Sequence, residues 1–218
     1  TVNGRRLTGR MLRSAWTVAV LVAAACLGPA ARAAPLDDYV RQDDGAYGWV
    51  ILQDQRDGAG FRTLHVELTS QKWQGYVWKH RLLVVVPPAH APASTGLLYI
   101  SGSGSGVEEL AAMRQVATLT GAVSAALMDI PNQPTMGLRE DALIAYTFGR
   151  FAQTQDPTWP LLLPMTKGAV KAMDALQEIA RQELGGEIER FVVAGASKRG
   201  WTTWLTGAVD EQVAGIAP

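Results

Sequence analysis

The segment Gly195-Ala196-Ser197-Lys198-Arg199-Gly200 has the residue types and spacing of a nucleophile. A short apolar run, Phe191–Ala194, precedes it and a helical pattern follows from about Lys198, so the serine stands between a strand and a helix. Small neighbours permit a sharp turn there, and such a turn lifts the hydroxyl above the end of the sheet. The N–H of Lys198 would face a developing oxyanion, reinforced by the positive end of the helix. A Gly-x-Ser-x-Gly elbow would place glycine at Arg199, whereas here it arrives at Gly200. The competing use of the same serine is an ordinary helix N-cap.

A second element would complete such a site. Ser101-Gly102-Ser103-Gly104-Ser105-Gly106 follows the apolar run Leu97–Ile100 and precedes a helix. In hydrolases of this sheet type that loop supplies the other oxyanion N–H, here from Gly102, Ser103 or Gly104. The alternatives are a plain turn or a dinucleotide loop with Asp129 on the ribose. The dinucleotide spacing fails, because it needs glycine at Val107 or at Glu109, and no cofactor is expected. Lys198 and Arg199 put positive charge at the helix start, where Arg199 would accept a ligand carboxylate or phosphate, or else form a structural ion pair. Asn132 and Gln133, between two prolines after a strand, would orient substrate or cap the following turn.

Other chemistry-bearing residues read as structural. Lys79 and Arg81 read as edge charges. His65, His80 and His90 read as surface histidines, with His80 about 14 Å from the serine across three strand spacings. Trp201 and Trp204, three apart on one helix, read as core packing rather than a sugar platform. One cysteine excludes a disulfide scaffold and a Cys-based zinc cluster, and no metal site is expected.

The elements that must position these residues follow from periodicity. Strands are expected at Trp49–Leu52, Thr63–Thr69, Arg81–Val86, Leu97–Ile100, Ala122–Ile130 and Phe191–Ala194, with another starting at Val213. Helices are expected from a Ser105/Glu108 capping box to Gly121, over Glu140–Phe151 and Thr166–Leu184, and after Ser197 to about Thr206. Early hairpins followed by β-α-β-α units predict an α/β, mostly parallel sheet flanked by helices. No repeat or linker divides residues 34–218.

Residues 1–33 differ from the rest. They carry Arg5, Arg6, Arg10, Arg13 and Arg32 with no acid, then an apolar run Ala15–Leu27, a Gly28-Pro29 break and a small-x-small site at Ala31-Arg32-Ala33. This is the pattern of a cleaved export signal, with translation starting at Met11 as an alternative, and cleavage would discard Cys26. The run is too short to span a bilayer, so no stable membrane span is expected after cleavage. From residue 34 onward 15 basic groups face 20 acidic ones, which argues against nucleic-acid binding. The expected location is the periplasm or the exterior.

The string FVVAGASKRGWTTWLTGAV over Phe191–Val209 resembles the PhoPQ-activated pathogenicity-related protein family, as do Leu36–Val40, Pro131–Pro134, Glu140–Thr147 and Trp159–Lys167. The resemblance implies an exported, virulence-associated bacterial protein with an α/β-hydrolase fold, with Ser197 as nucleophile and Gly102–Ser105 as glycine-rich loop. The Ser-Lys-Arg-Gly turn also looks like the elbow of carbohydrate esterases that bind uronic acids. In this fold the acid and histidine follow the serine in chain order. Only Asp210 and Glu211 lie beyond it and no histidine does, so the chain reads as the N-terminal part of a longer hydrolase-like domain. Two functions remain open: a serine esterase or amidase with an unknown small-molecule or envelope substrate, and a non-catalytic protein that binds an envelope component or peptide.

Overall fold

The computed structural model describes residues 35–88 and 94–218, so the leader and His90 lie outside it. A short helix, α1 (Pro35–Arg41), leads into three long strands: β1 (Gly48–Arg56), β2 (Arg62–Trp73) and β3 (Tyr76–Val86). Next come β4 (Thr95–Ile100), α2 (Val107–Thr120), β5 (Ser124–Leu127) and α3 (Glu140–Thr154). The chain continues with α4 (Leu162–Ile179), β6 (Arg190–Gly195), α5 (Lys198–Val209) and β7 (Val213–Ala217).

All seven strands form one sheet in the order β1-β2-β3-β5-β4-β6-β7. The pairs β1–β2, β2–β3 and β3–β5 are antiparallel, and β5–β4, β4–β6 and β6–β7 are parallel. The early hairpins and the later parallel strands thus share one sheet, as expected, and the parallel part carries the elbow.

Period-two alternation in β3 divides the core between the two faces. Trp78, Leu82, Val84 and Val86 join the cluster that includes Met165, Ala169, Met173 and Leu176 of α4, whose spacing makes one apolar stripe. Leu83 and Val85 face the other way and pack with Met113 and Ala117 of α2. Each fully buried Leu or Met contributes roughly 1.5–3 kcal/mol relative to exposure.

Three local departures from the expected elements have identifiable causes. Helix α4 begins at Leu162 rather than Thr166, because Pro164 falls in the first turn, where its missing N–H costs nothing. The capping box does not form: Gly106, with φ 83°, takes the N-cap position, and Ser105 Oγ accepts from Val107 N–H at 3.3 Å instead. A Cβ on Gly106 would lie 2.8 Å from Leu83 Cδ1, so the loop has to end on glycine. Strand β5 ends at Leu127: Met128 N–H still follows the β3 register, and the next two N–H groups turn to the glycine loop. Met128 donates to Arg81 O, Asp129 to Gly102 O and Ile130 to Ser101 O, with Asp129 at φ 65°. No described helix is long and apolar enough to cross a membrane.

Candidate active site

Sheet register sets where the site lies. Ile100 pairs with Gly195 on one side and with Leu127 on the other, so β4, β6 and β5 end at one level. Three segments leave that level together: the glycine loop 101–106, the elbow 196–197 and the segment 128–134.

Ser197 is exposed and sits at φ 57°, ψ −123°, outside the ordinary wells of an L-residue. Ser197 holds the N-cap position, its carbonyl accepting from Trp201 N–H at 3.0 Å, but its hydroxyl makes no cap hydrogen bond. Helix α5 lies directly on the strand end, since a Cβ on Gly200 would approach Gly195 O to 3.2 Å. Asp129 at φ 65° and Glu140 at φ 50° flank the same region, so strained backbone gathers here. Ser197→Gly should therefore stabilise the protein while removing the hydroxyl. Relief of about 1–3 kcal/mol of strain, less about 0.4–1 for the looser unfolded chain, leaves a gain of about 1 kcal/mol. Urea unfolding would show it, and a lowered midpoint would mean the backbone is unstrained.

The glycine loop is fastened by its carbonyls. Gly102 O and Ser101 O accept from Asp129 and Ile130, while Arg81 Nη2 donates to Gly104 O at 2.8 Å. The N–H groups of Gly102, Ser103, Gly104 and Lys198 have no protein acceptor among the described residues. Free, fixed donors beside an exposed serine are what an oxyanion pocket requires. Arg81 is accordingly no mere edge charge: it also grips Asp129 with Nε at 2.9 Å and Nη2 at 3.1 Å, which removes Asp129 from any ribose. Lys79 does remain at the surface, paired with Glu67 at 2.7 Å.

The elbow's two cations turn away from solvent. Lys198 Nζ lies 2.6 Å from Glu140 Oε2 and 3.0 Å from Asp141, and Arg199 Nη2 donates to Glu140 Oε1 at 2.8 Å. Arg199 Nε also donates to Ile130 O at 2.6 Å. Of the two roles open to Arg199, the ion pair is present. Partial burial works against the charge on Glu140, but hydrogen bonds from Arg199, Lys198 and Gln133 outweigh it and hold its carboxyl down at about 2.

Gln133 accepts from Glu140 N–H at 2.8 Å and donates to Glu140 Oε1, and Asn132 Nδ2 donates to Lys79 O at 2.6 Å. Asn132 thus ties the segment to β3, and Gln133 ties it to the start of α3. Glu140, the common partner of Lys198, Arg199 and Gln133, escaped sequence reasoning. Its one signal was two adjacent elbow cations without a nearby counter-ion.

Two further expectations are corrected. Trp201 and Trp204 are 47% and 60% exposed, so they do not pack the core; Trp201 stacks on Phe148 with ring centroids 6.3 Å apart. Their spacing fixes a shared face of α5, and that face is the outer one. His80 is buried rather than at the surface, with Nε2 2.9 Å from Ser70 Oγ and Nδ1 3.2 Å from Asp129 O. Strands β5 and β4 separate its strand from β6, as the strand order requires, so it cannot serve Ser197. His65 lies farther out, on β2. Among the described residues no cluster of His, Cys, Asp and Glu could hold a metal.

A family model described as PhoPQ-activated pathogenicity-related protein matches residues 36–218. Autocrine proliferation repressor protein A of Dictyostelium discoideum is 41% identical over 200 residues, covering 84% of this chain and 40% of that protein. A glucuronoyl esterase from Solibacter usitatus superposes with a TM-score of 0.54 at 16% identity, over 84% of this chain and 55% of its own. An acetyl xylan esterase from Paenibacillus sp. R4 gives 0.54 at 16%, over 83% and 55%. These structural likenesses show the α/β-hydrolase-like fold. The chain spans well under half of the curated relative and little more than half of either esterase.

Proposed function

This chain belongs to the PhoPQ-activated pathogenicity-related protein family, and from that premise we propose that its full-length form is an exported serine hydrolase of the esterase or amidase type, acting in the cell envelope. The observation that carries the reading is the strained, exposed Ser197 on its elbow, beside a loop with unengaged N–H groups. Export is supported by the basic, apolar and small-residue order of the leader.

The chemistry follows from the placement. Ser197 Oγ attacks a substrate carbonyl and passes its proton to a base. The carbonyl oxygen becomes an oxyanion, held by the N–H of Lys198 and those of the glycine loop. The acid and histidine of such a site would lie beyond Pro218 in the full-length protein, in the chain order serine, acid, histidine.

An active-site-directed fluorophosphonate tests the proposal on the full-length protein. Labelling should occur and disappear in Ser197→Ala. An unlabelled wild type, or labelling that survives the substitution, would favour the second reading: a non-catalytic hydrolase-fold protein binding an envelope component or peptide. That reading draws support from the curated relative, whose name describes repression of proliferation and no reaction.

A further inference from the structure

We infer that Arg199 is a positioning residue of the oxyanion pocket, its guanidinium acting as the spacer that sets the glycine loop against the elbow; the inference rests on the serine-hydrolase reading. Arg199 stands where a Gly-x-Ser-x-Gly elbow has its second glycine, and its side chain, only 14% exposed, runs into the space between three loops. Nε is bound to Ile130 O at 2.6 Å and Nη2 to Glu140 Oε1 at 2.8 Å, so two edges of the fork are fixed. The guanidinium also lies against the glycine loop. A Cβ built on Gly102 would sit 2.5 Å from Nη2, 2.9 Å from Cζ and 3.4 Å from Nε. The void where Gly102 lacks a side chain is therefore filled by Arg199.

The contacts make a single device. Arg199 belongs to the elbow helix, abuts Gly102 of the loop, binds the carbonyl before Pro131 and pairs with the first residue of α3. Arg81 holds the far end of the loop through Gly104 O at 2.8 Å. Two arginines thus fix a loop whose own N–H groups remain free for substrate. Oxyanion donors stabilise a transition state only when they are already in place, and a displacement of about 1 Å can cost about 10²-fold in rate. A planar, rigid fork with fixed donor directions suits a spacer in a way that a flexible ammonium does not.

The test uses fluorophosphonate labelling of the full-length protein, separating the maximal inactivation rate from the concentration giving half of it. Gly102→Ala and Arg199→Ala should each lower the maximal rate by about 10²-fold with little change in half-saturation. Arg199→Lys should not restore it. Because both single changes disturb one contact, the double variant should be no slower than the worse single. Effects that multiply, a full rate in Arg199→Ala, or a loss confined to half-saturation would overturn the inference, the last by making Arg199 a ligand-binding group. Should Arg199→Ala fail to fold, Gly102→Ala decides alone, and an unchanged rate there overturns it. An unlabelled wild type would instead bring down the hydrolase reading itself, together with the role built on it.

Discussion

Gly195→Ala is expected to unseat the elbow and to abolish fluorophosphonate labelling of the full-length protein. The added Cβ would lie 2.7 Å from Arg199 O, 2.8 Å from Thr203 Oγ1 and 2.9 Å from Arg199 C. Two of those atoms are backbone of α5, so no rotamer change relieves the clash. The helix must lift from β6, carrying with it the Thr203 hydroxyl that bonds Arg199 O at 2.9 Å within the same helix. Overpacking of this kind costs about 3 kcal/mol, and more where backbone has to move. Ser197 rides on the same turn, so even a folded variant should lose about 10²-fold in labelling rate. Gly149→Ala is the control: it lies inside α3 with open space at its Cβ and should gain about 0.5–1 kcal/mol by removing a helical glycine. Urea unfolding of both variants checks the pair, and a wild-type midpoint for Gly195→Ala would show that α5 does not press on β6 as described.

The elbow was legible because its signals are local: an apolar strand, small residues about a serine and a helical pattern occupy one stretch of chain. The sheet was legible for the same reason, since alternation in Thr63–Thr69 and continuous apolar runs at Arg81–Val86 and Phe191–Ala194 declare strands without tertiary information. What escaped depends on contacts between distant segments. Glu140 meets Arg199 across 59 residues, and nothing in either local pattern ties them together. Charge alone left Arg199 open between a ligand group and an ion pair, because its partners Ile130 O and Glu140 come from two other segments. The spacing of Trp201 and Trp204 defined a shared face, but only the packing of α5 tells that the face is outward. His80 was misplaced for a different reason. Its flanking residues Lys79 and Arg81 are charged, which suggested a surface run, yet period two puts it on the same side as Trp78, Leu82 and Val84. That alternation, read strictly, would have found it buried.

Burial of His80 has a measurable consequence: stability should fall between pH 6.5 and pH 4. A backbone carbonyl only accepts, so the Nδ1 facing Asp129 O carries the proton and Nε2 accepts from the Ser70 hydroxyl. Burial pushes the imidazole pKa down to about 4, against the opposing pull of the Asp129 carbonyl. The unfolded histidine takes up its proton below about 6.5, whereas the folded one stays neutral until about 4. The unfolded state therefore binds more protons throughout that window, and stability, full above it, declines as the pH drops and levels off below it as far as His80 is concerned. The shift corresponds to at most about 3 kcal/mol. Glu140, held down at about 2, extends the decline: its contribution is present above the ordinary carboxylate range and lost as pH falls towards 2. Asp210, raised by burial, works in the opposite direction. Urea midpoints measured from pH 7 to pH 5, above the range in which Glu140 acts, on the wild type and on His80→Gln, which loses the imidazole, should show a slope in the first and a much shallower one in the second. Equal slopes would assign the acid sensitivity to other groups and show that His80 is not held neutral between Ser70 and Asp129.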